Sequence, residues 1–240
     1  MSTDNAKTIA SLRTYWCSAV FTDTAHKFKE STALTDYYAN QAFQTLMEKY
    51  QQPHRKYHNL SHLMFLKSLP SGSDFGKPFD SWFFIERIMF FFYHDSEYFI
   101  DPINPILDNE HQSAVGARQD MLNMGFGAVK PEIIDFVCDT IELSNHVAPT
   151  SNPKQQFLLD CDLAILGASP SSYLEYTKNI RSEYGVVPQD VWDVKRAEFL
   201  EYMLDKENVF QHPFFQRQYE KQARKNMAAE LKTYSGKKTR

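Results

Sequence analysis

The chain has 240 residues, 42% hydrophobic and 23% charged, with a formal net charge of −4. That suits a globular domain with a sizeable core and lacks the basic excess of a nucleic-acid binder. Cys17, Cys138 and Cys161 are too scattered for a disulfide framework or a cysteine-rich zinc site, and read as small buried hydrophobes of a reducing compartment.

Met1–Ala10 is polar and lacks the apolar stretch of a secretory signal. Trp82–Tyr93, the most apolar run, contains Glu86 and Arg87 and is too short to span a bilayer. A soluble, cytoplasmic protein is expected. Glycine is scarce, at 8 residues, and hairpin-bounded alternation is lacking, so helical periodicity dominates.

In chain order, a first helix is predicted over Lys7–Lys29, with Leu12, Trp16, Val20 and Phe21 on one face. A second covers Leu34–Tyr50, with Tyr37, Ala42, Phe43 and Leu46 inward. Pro53 breaks the chain. Tyr57–Leu69 reads as a helix stopped by Pro70, Ser71 and Gly72, with a loop over Ser68–Phe79. Ser81–Tyr93 is so apolar that it is predicted to be a central helix. Pro102 and Pro105 make Ser96–Leu107 irregular.

Further helices are predicted over Asn109–Met124, ended by Gly125, and over Pro131–Asn145, with proline at its first position. The rest are Lys154–Leu166, ended by Gly167, then Pro170–Tyr184, Pro188–Asn208 and Phe214–Tyr234. Residues 235–240 form a frayed basic tail. About ten helices with short connections describe an all-α, compact single domain over residues 1–240. Phe214, Phe215 and Tyr219 read either as a homodimer surface or as packing on the main core.

Four polar clusters stand out against this apolar background. In Pro53-His54-Arg55-Lys56-Tyr57-His58-Asn59-Leu60-Ser61-His62, His58 and His62 are spaced to share one helix face, and imidazole is a common transition-metal ligand. In Phe91-Phe92-Tyr93-His94-Asp95, a His-Asp doublet ends the apolar helix, where an ionised carboxylate is costly unless paired or metal-bound. Consecutive helical side chains diverge, so the two converge on one ion only near the helix end. In Phe157–Gly167, Asp160 and Asp162 interrupt a core segment, and one of them pairs with an arginine if the other is a ligand. Asp108-Asn109-Glu110-His111-Gln112-Ser113-Ala114 reads as a charged helix start or as a source of substrate contacts.

The order of these clusters resembles the HD superfamily of metal-dependent phosphohydrolases, in a branch of predicted HD-type phosphohydrolases. The resemblance is carried by the Pro53–His62 motif, Tyr93-His94-Asp95 and Asn109–Ala114. It continues through Thr140-Ile141-Glu142-Leu143-Ser144-Asn145-His146, Leu159–Gly167, Ile180-Arg181-Ser182-Glu183-Tyr184 and the segment Glu220–Leu231, spanning residues 10–232.

The resemblance implies an HD-type helical bundle holding a divalent metal (Mn, Fe, Co, Ni, Zn or Mg) on His62, His94, Asp95 and Asp162, with His58 and His146 as additional ligands if a second ion binds. It also implies metal-activated water attacking a small phosphoester, a nucleotide in the favoured case, with Asp95 as ligand and proton acceptor. Arg55, Lys56, His58 and Arg181 are the candidate substrate contacts. Glu110 orients a ligand or binds a ribose hydroxyl, and Tyr57, Tyr93 and Tyr98 stack on a base or fill core and rim. Two other classes stay open: a non-catalytic metal- or nucleotide-binding helical protein, and a di-iron HD-type oxygenase using His58 and His146. No glycine-rich phosphate loop and no Gly-x-Ser-x-Gly elbow is present.

Overall fold

A computed structural model describes residues 3–20, 33–71, 79–80, 82–100 and 108–235. Among these residues the chain is all-helical, with no strand: twelve α-helices and three short 3₁₀ turns. They group into two compact units, Met1–Phe99 with Asp108–Ala148, and Ile100–Leu107 with Pro149–Arg240.

The first unit holds α1 (Thr3–Val20), α2 (Ala33–Tyr50), α3 (Leu60–Ser68), α4 (Phe83–Tyr93), α5 (Asn109–Asn123), α6 (Phe126–Val129) and α7 (Pro131–Glu142). The predicted residues 21–29 of the first helix and most of the two predicted loops lie outside the described residues. The apolar helix is central, as its composition predicts. α4 packs against α1, α3, α5 and α7, and every residue from Ile85 to Tyr93 is buried.

Trp16, Phe43, Phe92 and Tyr93 interlock, with the Trp16 and Phe92 rings edge-on at 5.2 Å. Each such ring contributes roughly 1.5–3 kcal/mol by leaving water. Arg87 is buried as well; its guanidinium donates to the Leu66 and Leu69 carbonyls at the end of α3 and lies over Phe91. Ala42, Phe43 and Leu46 face inward as predicted, whereas Tyr37 is 55% exposed, because the buried stripe of α2 runs through Ala39, Phe43 and Tyr50. Gly125 takes φ +85° between α5 and α6, a conformation that suits glycine.

The second unit holds α8 (Pro153–Leu163), α9 (Pro170–Glu183), α10 (Gln189–Asp205), α11 (Pro213–Gln218) and α12 (Glu220–Ser235). Cap side chains from Asn152, Ser169 and His212 open α8, α9 and α11, each followed by proline in the first turn. The single predicted helix over Phe214–Tyr234 is two, broken at Tyr219. A Cβ on Gly167 would lie 2.8 Å from the Tyr219 carbonyl oxygen, so only glycine admits this approach. Phe215 is fully buried against Phe157 and Phe210, and Phe214 and Tyr219 join that cluster. Arg196 and Glu230 form a buried bidentate pair at 2.8 and 3.1 Å, completed by the Tyr173 and Tyr234 hydroxyls.

Candidate metal centre

α3 begins later than the spacing predicts. Asn59 caps it, its Oδ1 accepting from the Ser61 amide at 2.8 Å, which puts His62 in the first turn. His58 therefore precedes the helix instead of sharing a helical face with His62. The turn nonetheless brings the two rings to 5.7 Å, and His58 packs on Tyr98 at 4.3 Å.

α4 supplies the doublet from its C-terminal end. His94 is the cap residue, and its Nδ1 lies 3.2 Å from both the Phe90 and Phe91 carbonyl oxygens. Carbonyls only accept, so that contact assigns the proton of the neutral ring to Nδ1 and leaves Nε2 with its lone pair. His94 Nε2 is 3.2 Å from His62 Nε2 and 3.0 Å from Asp95 Oδ2, and Asp95 Oδ2 is 3.7 Å from His62 Nε2. Both histidine side chains are fully buried, whereas Asp95 is 20% exposed.

Two imidazole nitrogens and a carboxylate oxygen thus converge within 3.7 Å of one another, beside the negative end of a helix dipole. With the His62 proton on Nδ1, as on His94, all three atoms present electron pairs to a common point, and a cation there would be held by all of them. Two imidazole nitrogens and a carboxylate are borderline in softness and fit a divalent transition metal.

The other predicted site residues of the first unit take different positions. His58 Nε2 is 3.8 Å from Asp95 Oδ2, at the edge of the cluster. Glu110, in the first turn of α5, is half-buried. Burial raises its carboxyl pKa; the charges of Asp95 and Asp108 add to the rise, while its own amide and His146 oppose it. His146 ends a 3₁₀ turn at φ +57°. Lys56 is exposed. Tyr93 is core, its hydroxyl donating to Asp120 at 2.8 Å, and Tyr98 is buried as well, so neither ring is open to a base.

Arg55 does not face solvent as a phosphate contact should. It is 4% exposed, with Nη1 donating to the Asp95 carbonyl at 2.6 Å and to the His58 carbonyl at 3.3 Å. Nη2 donates to the Ser96 carbonyl at 2.9 Å and Nε to Gln52.

Sequence reasoning missed a further role: the segment after the doublet is held residue by residue. Ser113 bonds the Glu97 amide, a His54 ring nitrogen meets the Tyr98 carbonyl at 3.1 Å, and Asn109 bonds both the amide and the carbonyl of Phe99. The available signal was the polar first turn of α5 and the His-Arg step after Pro53, read there as chemistry.

In the second unit, Asp162 stands in the last turn of α8, partly exposed. Asp160 is fully buried and accepts from the Gln211 and His212 amides at 3.0 and 2.6 Å, which engages it with the loop before α11. Burial pushes its pKa up to about 7 against those two bonds. Arg181 donates to Gln189 and to the Tyr184 and Val187 carbonyls and lies over Trp192, so its guanidinium is committed to its own turn.

No protein-family model matches the chain, and neither does any curated protein or solved structure. Among the described residues, no helix is long and apolar enough to cross a membrane.

Proposed function

We propose that the chain is a metal-dependent phosphohydrolase of the HD type, acting in the cytoplasm on a small phosphoester and in the favoured case a nucleotide. The observation that carries the metal is the convergence of His62 Nε2, His94 Nε2 and Asp95 Oδ2, with the His94 proton assigned to the opposite nitrogen. Asp162 is the proposed fourth ligand, because the other acid of its motif is engaged by backbone amides. The reaction class rests on the motif resemblance.

A divalent cation on these groups supplies water acidified towards neutral pH and a Lewis-acid contact for a phosphoryl oxygen. Asp95, whose side chain is 20% exposed, takes the proton of the attacking water. Glu110 holds its proton more readily than an ordinary carboxyl, and hydrogen-bonds a substrate hydroxyl or protonates the leaving oxygen. Lys56 and His58 meet the phosphate charge. Arg55 and Arg181 drop out of that role on their hydrogen bonds. A second reading, the di-iron oxygenase, draws on His58 Nε2 standing 3.8 Å from Asp95 Oδ2.

The test is to purify the chain without chelators, measure its metals, and screen nucleotides and generic phosphoesters with Mn²⁺, Co²⁺, Ni²⁺, Mg²⁺ and Zn²⁺. The His94→Ala/Asp95→Ala double variant and Asp162→Asn run beside it. Metal-dependent turnover lost in the double variant supports the hydrolase, and weakened metal binding in Asp162→Asn supports the fourth ligand. Metal held equally by all three proteins, without turnover, refutes the ligand set and favours a binding protein. Two irons lost together, with oxygen consumption, favours the oxygenase.

A further inference from the structure

The geometry points to Arg55 as a positioning residue for the metal ligands: its guanidinium joins the His58 turn to the backbone of the Asp95–Ser96 step and so sets the spacing on which cation affinity depends. This rests on the metal-binding reading above, and it replaces charge neutralisation of a substrate as the reason for an arginine here.

A buried guanidinium is expensive unless its N–H groups find acceptors. Arg55 meets that demand with peptide carbonyls and one side-chain amide, and among the described residues no carboxylate oxygen bonds it. Its Nη1 bridges the Asp95 and His58 carbonyls, its Nη2 takes the Ser96 carbonyl and its Nε takes Gln52. Two rings hold the planar group, Tyr50 at 5.1 Å and Tyr98 at 5.5 Å from the guanidinium carbon, and Tyr98 is also the ring against which His58 packs.

One side chain therefore touches both backbone strands that carry His58 and Asp95. The doublet lies just past the end of α4, where the helix no longer dictates the backbone. There the Ser96 amide returns to the Tyr93 carbonyl, and the Arg55 bonds add a second hold on the Asp95–Ser96 step.

Lysine cannot replace this fork. An ammonium carries the same charge, but it does not present coplanar donors to three carbonyls at once. Charge and positioning can therefore be separated experimentally, and the readout needs no substrate.

The full chain, stripped of metal, is titrated with Co²⁺ and followed by visible absorption and calorimetry, for the unaltered protein, Arg55→Lys and Lys56→Ala. A loss of roughly 10- to 100-fold in Co²⁺ affinity, with a changed ligand-field spectrum, is expected for Arg55→Lys, as for other partners that orient ligands. Lys56→Ala is expected to leave both unchanged. Affinity and spectrum preserved in Arg55→Lys would overturn the proposal. No Co²⁺ binding by the unaltered protein would instead overturn the metal reading beneath it. If Arg55→Lys does not fold, Gln52→Leu serves, since it removes only the acceptor of the Nε–H. It is expected to weaken Co²⁺ roughly two- to fivefold and to shift the spectrum, and an unshifted spectrum refutes the role.

Discussion

Asp95→Asn is expected to move the protein in opposite directions with and without metal. In the metal-free state, Asp95 Oδ2 faces the lone pair of His94 Nε2 at 3.0 Å. An amide nitrogen at that position donates to it, so the substitution turns an acceptor–acceptor contact into a hydrogen bond, worth about 0.5–1.5 kcal/mol. The side-chain shape is retained, and the packing of α4 is undisturbed.

With metal the sign reverses. A cation at a hundred times its dissociation constant stabilises the unaltered protein by about 2.7 kcal/mol, and a hundredfold weaker site gains only about 0.4 kcal/mol. At about 2–4 °C per kcal/mol for a chain of this size, Mn²⁺ should raise the melting temperature of the unaltered protein by roughly 5–11 °C and that of Asp95→Asn by 1–2 °C. Circular dichroism melts after chelation, with and without added Mn²⁺, give both numbers. If the two units melt separately, the transition that moves is that of the unit bearing His62, His94 and Asp95. Equal metal-induced shifts in the two proteins, or a metal-free variant that melts well below the unaltered protein, would refute the lone-pair reasoning.

In the second unit, Arg196→Met should cost about 3–5 kcal/mol in urea unfolding by leaving Glu230 buried with only its tyrosine partners, and adding Glu230→Leu should recover most of the loss. A double variant no better than the single refutes the pair as the cause. Burial raises the Cys138 thiol to about 11, leaving about 0.1% thiolate at pH 8, so half-buried Cys17 should be alkylated well before Cys138 or Cys161 by mass spectrometry. The Glu142 hydrogen bond raises the His111 pKa. Stability from this pair is then present at acidic pH and lost as pH rises through the folded value, and Glu142→Gln should lower the His111 midpoint in an NMR titration.

Most of the helical framework was legible because α4 is apolar on nearly every side and the prolines at 131, 153, 170 and 213 sit where helices open. The break at Tyr219 was not, since it depends on Gly167, 52 positions earlier, coming against that backbone. The helical phase of His58 was missed because Asn59 caps α3, which leaves His58 before the helix and the i,i+4 pattern without a helix to apply to. His62, His94 and Asp95 were legible from residue type and order. Arg55 was legible as a functional position but not as a buried one: a basic residue beside histidines reads the same whether it faces a phosphate or a peptide carbonyl. Its target, the Asp95–Ser96 backbone, carries no side-chain signature.

α4 ends at Tyr93 and is capped by His94, after a run in which every residue from Ile85 onward is buried. Helix termini ordinarily fray at little cost, but unwinding this one would bring Phe90, Phe91 and Phe92 into water. Its last amides are expected to exchange their hydrogens only when the whole unit opens. An imidazole fixed in that way would not peel off an ion held there. Release would have to begin at a carboxylate, and Asp95 sits in the turn beyond the helix with solvent at its side. The centre would then take its shape from the two imidazoles and its lability from its acids.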